Sequence, residues 1–150
     1  MKPAALTAAD ISRYGDCVCF NLRWFGRLVT QYYERRLGGS GIRYTQTPIL
    51  ARLAAAPAKM AELSTWLALE RTALLRTLQP LIDEGYVRSQ PASRGRGVEL
   101  SVTDAGRRRL AELQPEWEKV QADVVAAIGG ARWRDFLGAM ETAAERLEKS

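Results

Sequence analysis

Met60-Ala-Glu-Leu-Ser-Thr-Trp-Leu-Ala-Leu-Glu70-Arg-Thr-Ala-Leu-Leu-Arg-Thr-Leu-Gln-Pro80-Leu-Ile-Asp-Glu-Gly85-Tyr-Val-Arg-Ser-Gln90-Pro-Ala-Ser-Arg-Gly-Arg-Gly-Val-Glu-Leu100-Ser-Val-Thr-Asp104 is the stretch that decides the fold. Leu63 and Leu67 are four apart, which predicts a first helix over 60–67. A second helix is expected over 70–84, ended by Gly85 in the left-handed conformation. Tyr86-Val-Arg-Ser89 reads as a short strand, and the strict alternation of Val98, Leu100 and Val102 reads as its partner. Between them, residues 90–97 are too rich in Gly, Pro and Ser to continue a strand. Thr103-Asp104 is a plausible N-cap for the next helix. Helix, turn, helix and basic hairpin follow one another in the order of a winged helix-turn-helix.

The second helix divides into two faces. Leu74, Leu78, Leu81 and Ile82 form a core stripe at spacings of 4, 3 and 1. Arg71, Thr72, Arg76 and Gln79 fall largely on the other side, which suits entry into a DNA major groove. From residue 71 to 98 the chain carries Arg71, Arg76, Arg88, Arg94 and Arg96 against only Asp83 and Glu84. All five cations are arginines, whose planar fork suits phosphate and base edges better than lysine does. Charge alone also fits a solvated basic surface; the order of elements favours double-stranded DNA as the partner.

The whole chain narrows the function further. Its 150 residues allow one domain with a substantial core. The formal charge of +5 favours a polyanionic partner. No apolar run approaches the roughly 18 residues that span a bilayer. Residues 1–10 lack the apolar core of a signal peptide, and two cysteines in C-x-C spacing make no disulfide framework, so a reducing cytoplasm is expected. Histidine is absent, which removes the commonest general base and metal ligand. Leu37-Gly-Gly-Ser-Gly41 lacks the lysine and preceding strand of a P-loop. Neither an enzyme, a metal nor a cofactor is expected.

Outside residues 60–104 the pattern is helical. A long helix is expected from Asp16 to about Leu37, where Phe20, Trp24, Leu28 and Tyr32 recur, and Gly38-Gly-Ser-Gly41 breaks it. A shorter one over 45–55 turns Ile49, Leu50 and Leu53 inward, Ala56-Pro57 closes it, and residues 58–60 can add a third strand to the wing. Leu110, Leu113, Trp117, Val120, Val124, Val125 and Ile128 predict a helix over 104–128, kinked or briefly broken at Pro115. Gly129-Gly130 is a hinge before a last helix bearing Trp133, Phe136, Leu137, Met140, Ala144 and Leu147. The fold class is mainly α with a small β-wing. The terminal helices carry more apolar surface than a small winged helix covers, which points to a core shared by two subunits. A two-fold axis would place two recognition helices one DNA turn apart. The expected organisation is one chain of residues 1–150, with a DNA-binding lobe over 45–104 and a dimerisation lobe of 1–44 with 105–150.

The chain resembles the MarR family of bacterial transcription regulators over nearly its whole length. The match rests on Thr30-Gln-Tyr-Tyr-Glu34, Gly41-Ile-Arg-Tyr-Thr-Gln46, Met60-Ala-Glu-Leu63, Leu69-Glu-Arg-Thr72, Arg76, Leu78, Pro80-Leu81, Asp83-Glu-Gly-Tyr-Val87, Arg94-Gly-Arg96 and Leu100-Ser-Val-Thr-Asp-Ala-Gly106. It implies an obligate dimer joined by its terminal helices that binds pseudo-palindromic operators, mostly as a repressor released by a small molecule or oxidation. The DNA-binding residues it implies here are Arg71, Thr72, Leu75, Arg76, Gln79, Arg94 and Arg96. Leu75 replaces the Thr or Ser common in the family, exchanging a hydrogen bond for thymine-methyl contact or for packing against the first helix. Trp66 is bulkier than usual. Pro80, which in isolation costs a helix about 3 kcal/mol, follows the family pattern and is expected only to bend the helix.

Cys17 and Cys19 fall near the start of the first long helix. If both are helical they lie about 200° apart around the axis and do not easily bond to each other. The unpaired amides of a first turn favour an anionic sulfur, and reactivity also needs access. Cys19-Phe20 resembles the sensor motif of the organic-peroxide-responsive OhrR branch of the family. Tyr33 and Tyr44 match two tyrosines that there bond the sensor cysteine across the dimer, whereas Arg23 replaces a third. No resolving cysteine exists in the C-terminal half, which leaves sulfenic acid and a mixed disulfide with a small thiol. An inert, structural role for both cysteines is the competing reading. A second functional reading is a regulator gated by an aromatic or phenolic ligand, with Tyr32, Tyr44, Trp24 and Trp117 as lining. A thiol peroxidase using Cys19 is the weakest.

Overall fold

In the computed structural model, which describes residues 7, 12–92 and 95–149, the apolar stripes fold into six α-helices and one three-stranded sheet among the described residues. The order is α1 (Val18–Leu37), α2 (Thr47–Ala55), β1 (Ala58–Lys59), α3 (Met60–Leu67), α4 (Arg71–Asp83), β2 (Val87–Pro91), β3 (Val98–Val102), α5 (Asp104–Ile128) and α6 (Gly130–Glu148). The sheet is antiparallel in the order β1-β3-β2, with Ala58 opposite Leu100 and Val87 opposite Val102.

Local chemistry sets the ends of α3, α4 and α5. The Glu62 carboxylate accepts the Lys59 backbone N–H at 2.8 Å, fixing the start of α3. Ala68 ends α3 in the left-handed region at φ 49°, an expensive conformation for a residue with a Cβ. Gly85 takes φ 75° after α4, as expected of its position, and costs nothing there. Thr103 caps α5 by accepting the Gly106 N–H at 3.1 Å.

One core lies under the sheet. Ile49, Leu50, Leu53, Leu63, Leu74, Leu78, Leu81 and Leu100 are buried within it, and each such side chain stabilises the lobe by about 2 kcal/mol relative to exposure. A second cluster joins α1 to α5 through Tyr33, Leu37 and Val120, with Val29, Tyr44 and Trp117 against it. Helix α5 threads both clusters, with Leu113 in the first and Val120 in the second. Tyr32 donates to Asp123 at 3.1 Å, and Arg36 pairs with the same carboxylate at 3.4 Å.

Beyond one-residue shifts at helix and strand ends, four features differ from the sequence expectation. The first long helix starts at Val18, not Asp16: Tyr14–Asp16 is a 3-10 turn and Cys17 is an extended N-cap at ψ 116°. The Asn21 amide donates to the carbonyls of Gly15 and Cys17, holding that break. The 45–55 helix is divided into a 3-10 turn at Tyr44–Gln46 and α2 from Thr47. β2 continues two residues into the expected loop because Gln90 and Pro91 still pair with Glu99 and Val98. A proline is tolerated there, at the end of an edge strand. Pro115 does not break α5, which is anchored by buried side chains on either side of it.

Candidate nucleic-acid interface

Helix α4 turns its core stripe inward and leaves Arg71, Thr72, Leu75, Arg76 and Gln79 exposed, as their spacing predicted. Leu75 is 39% exposed, so it is not packed into the helix-turn-helix core. Gln79 is engaged, its side-chain amide donating to Asp83 at 2.7 Å. The guanidinium groups of Arg71 and Arg76 make no hydrogen bond or ion pair among the described residues, and neither do those of Arg88 on β2 and Arg96 in the wing loop. Unpaired guanidinium groups on one unit have their donor forks open to an external anion. Arg94, also expected at the interface, lies outside the described residues.

The Ala92 N–H donates to the Gly97 carbonyl at 3.0 Å across the loop. Sequence reading missed two contributors. The Lys59 ammonium lies beside Gly95, an approach that only the pairing of β1 with β3 reveals. Gln46 is buried, accepts the Arg43 N–H at 2.9 Å and donates to the Thr77 carbonyl at 3.3 Å, tying the α2 entrance to α4. Gln46 sits in a polar Thr-Gln-Thr run that reads as an exposed turn, so nothing local signals its burial.

The cysteine region departs from expectation. Both thiols are exposed, but only Cys19 is in the first helical turn, and a helical angle does not describe its relation to the extended Cys17. Tyr33 and Tyr44 come together with ring centroids 4.2 Å apart, and the Tyr33 hydroxyl donates to Gln121. Burial, with a smaller contribution from neighbouring Tyr44, pushes the Tyr33 phenol up to about 12; burial also raises Tyr44. Fourteen residues of helix put Cys19 about 21 Å along the axis from Tyr33. No contact forms between Cys19 and these tyrosines within one chain.

The four aromatics of the ligand reading are also separated. Tyr44 and Trp117 line a cavity of about 330 Å³ between α2 and α5, with Pro48, Ala51, Leu110 and Leu113 as apolar walls and Thr47 and Gln114 as polar groups. Tyr32 borders a different cleft, and Trp24 is 49% exposed on α1. Helix α6 buries no residue, and together with α1 it borders an apolar cleft of about 400 Å³ lined by Leu22, Phe25, Trp133, Phe136 and Met140. Among the described residues no group of His, Cys, Asp and Glu is placed to hold a metal, and no helix is long and apolar enough to cross a membrane.

No family model matches the chain, and no curated protein does. Solved structures do. The transcriptional regulator MosR of M. tuberculosis, solved in complex with DNA, is 33% identical, with 87% of this chain and 98% of that one covered at a TM-score of 0.74. AbsC, a MarR family transcriptional regulator from Streptomyces coelicolor, is 18% identical, with 99% and 100% covered at 0.75. A mutant MarR from E. coli complexed with operator DNA is 17% identical, with 84% and 92% covered at 0.74. The two lower identities speak for the fold, and the first for kinship. All three are regulators, not enzymes.

Proposed function

The chain belongs to the MarR family of transcriptional regulators, and on that premise we propose that it binds double-stranded operator DNA as a homodimer and represses transcription until an effector releases it. The observation that carries this reading is the exposed face of α4, whose Arg71, Thr72 and Arg76 have no partner among the described residues, in a chain 33% identical to a regulator solved with DNA. Arg71, Thr72, Leu75, Arg76 and Gln79 occupy the major groove. Arg94 and Arg96 on the wing and Lys59 beside it contact backbone phosphates. Residues 45–104 form the DNA-binding lobe, and 1–44 with 105–150 form the dimerisation lobe. The apolar face of α6, uncovered in one chain, supports a shared core with the partner's helices.

Release by an oxidant acting on Cys19 rests on that thiol's exposure in the first turn of α1. In this form Tyr33 and Tyr44 meet the partner's sulfur across the dimer. A second form, release by an aromatic or phenolic ligand, is favoured by the cavity beneath Tyr44 and Trp117, which sits where the two core clusters meet on α5. Operator footprinting with and without organic hydroperoxide, repeated on Cys19→Ser, separates the two. Peroxide release in the wild type alone supports the thiol. No release by peroxide in either protein, with loss of the footprint on adding a phenolic acid, supports the cavity. A chain that protects no DNA overturns the regulator reading.

A further inference from the structure

We propose that Leu75 is a specificity determinant that reads the 5-methyl group of a thymine in each operator half-site. The inference rests on the reading of α4 as the DNA-reading helix and deepens it. Leu75 is 39% exposed and belongs to neither core cluster. It lies between Thr72, three residues before, and Gln79, four after, along one ridge of the helix. Helix propensity does not select it, since Gln, Lys or Arg form helix about as well and cost nothing in water. Its neighbours Arg71 and Arg76 are cations without partners among the described residues, which disfavours an apolar protein surface at this point and favours a polyanion.

Within a major groove, the one apolar group a base pair presents is the thymine methyl. Leu75 has no donor or acceptor, so methyl contact is the sole base discrimination open to it. The neighbouring hydrogen-bonding group is committed elsewhere: the amide of Gln79 is held by Asp83 at 2.7 Å, which competes with its bidentate use on adenine. On this ridge, Arg76 supplies hydrogen-bond readout and Leu75 apolar readout.

The test uses the full chain. Operators are selected from a random duplex library, and each thymine of the consensus is replaced singly by deoxyuridine, which removes only the methyl. Affinities are compared for wild type, Leu75→Ala and Leu75→Gln. The expected result is one thymine per half-site whose replacement weakens wild-type binding about fourfold, the factor for one methyl's burial. Both variants should be indifferent to that replacement. Wild-type binding that is tight and selective yet unchanged by every deoxyuridine overturns the proposal, as does an equal penalty in the variants. Selection of no sequence at all overturns the DNA-reading function itself.

Discussion

Gly106→Ala sets two known effects against each other at the junction of the wing and α5. Gly106 is buried at the third position of α5. A Cβ there would stand 2.3 Å from the Tyr86 carbonyl oxygen and 2.7 Å from Val102 Cγ2. Carbon and carbonyl oxygen ordinarily meet at about 3.3 Å, so roughly 1 Å must be yielded. The oxygen is not free to yield: it accepts the Thr103 N–H at 3.0 Å, and Thr103 also caps the helix through Gly106. Relieving the clash therefore strains the cap, worth about 1 kcal/mol, on top of about 1–3 kcal/mol for overpacking. Alanine recovers about 1 kcal/mol of helix propensity. The clash wins by about 2 kcal/mol, a fall of roughly 4–8 °C in Tm for a chain of this size. Urea and thermal unfolding, followed by circular dichroism at fixed protein concentration, measure it. Gly138→Ala in α6 is the control, because nothing lies within 4 Å of its added Cβ; it should gain up to about 1 kcal/mol. If Gly106→Ala matches or exceeds wild-type stability, the steric argument is refuted.

Three further outcomes are expected. Ala68→Gly relieves the left-handed strain at φ 49° by about 1–2 kcal/mol and loses part of that to unfolded-chain entropy, so Tm should rise by about 2 °C; a fall contradicts the assigned conformation. In an absorbance titration of the five tyrosines, Tyr33 should still be protonated past pH 10, and Tyr33→Phe should remove the latest component. The sign follows from the raised folded value: the unfolded chain ionises first, so the stability this group contributes is full below pH 10 and is lost as pH rises toward 12. Arg96→Ala should lower the salt dependence of DNA binding by about one ion per subunit, whereas Arg76→Ala should relax sequence preference at about 1–3 kcal/mol, both read by fluorescence anisotropy across salt concentrations.

The helices were legible where stripe and cap agree. Leu63 and Leu67 mark α3, Leu74 through Ile82 mark α4, and Thr103 with the leucine and valine stripe marks α5, because each pattern is read from neighbours within one or two turns. The Cys17 break was not legible, since it depends on Asn21 bonding backward to carbonyls that a helix would otherwise use. Pro91 looked like loop because its strand pairing is supplied by Val98, across the hairpin. At the interface, the exposed arginines of α4 follow from periodicity, but Lys59 reaches the wing only through a strand pairing. The cavity walls come from residues 44–51 and 110–117, whose meeting is a tertiary fact with no local signature. Charge and periodicity thus reveal the exposed basic face of α4, while the spaces between elements need the fold.

On the proposed function, this chain reads duplex DNA through α4 with two-fold symmetry. DNase footprinting of the full chain on its selected operator tests it most directly, with Arg76→Ala alongside. The expected footprint is a protected pseudo-palindrome whose half-sites are centred about 10–10.5 base pairs apart, lost or made indiscriminate in the variant. Protection of a single asymmetric half-site, or an Arg76→Ala footprint identical to wild type, would contradict it.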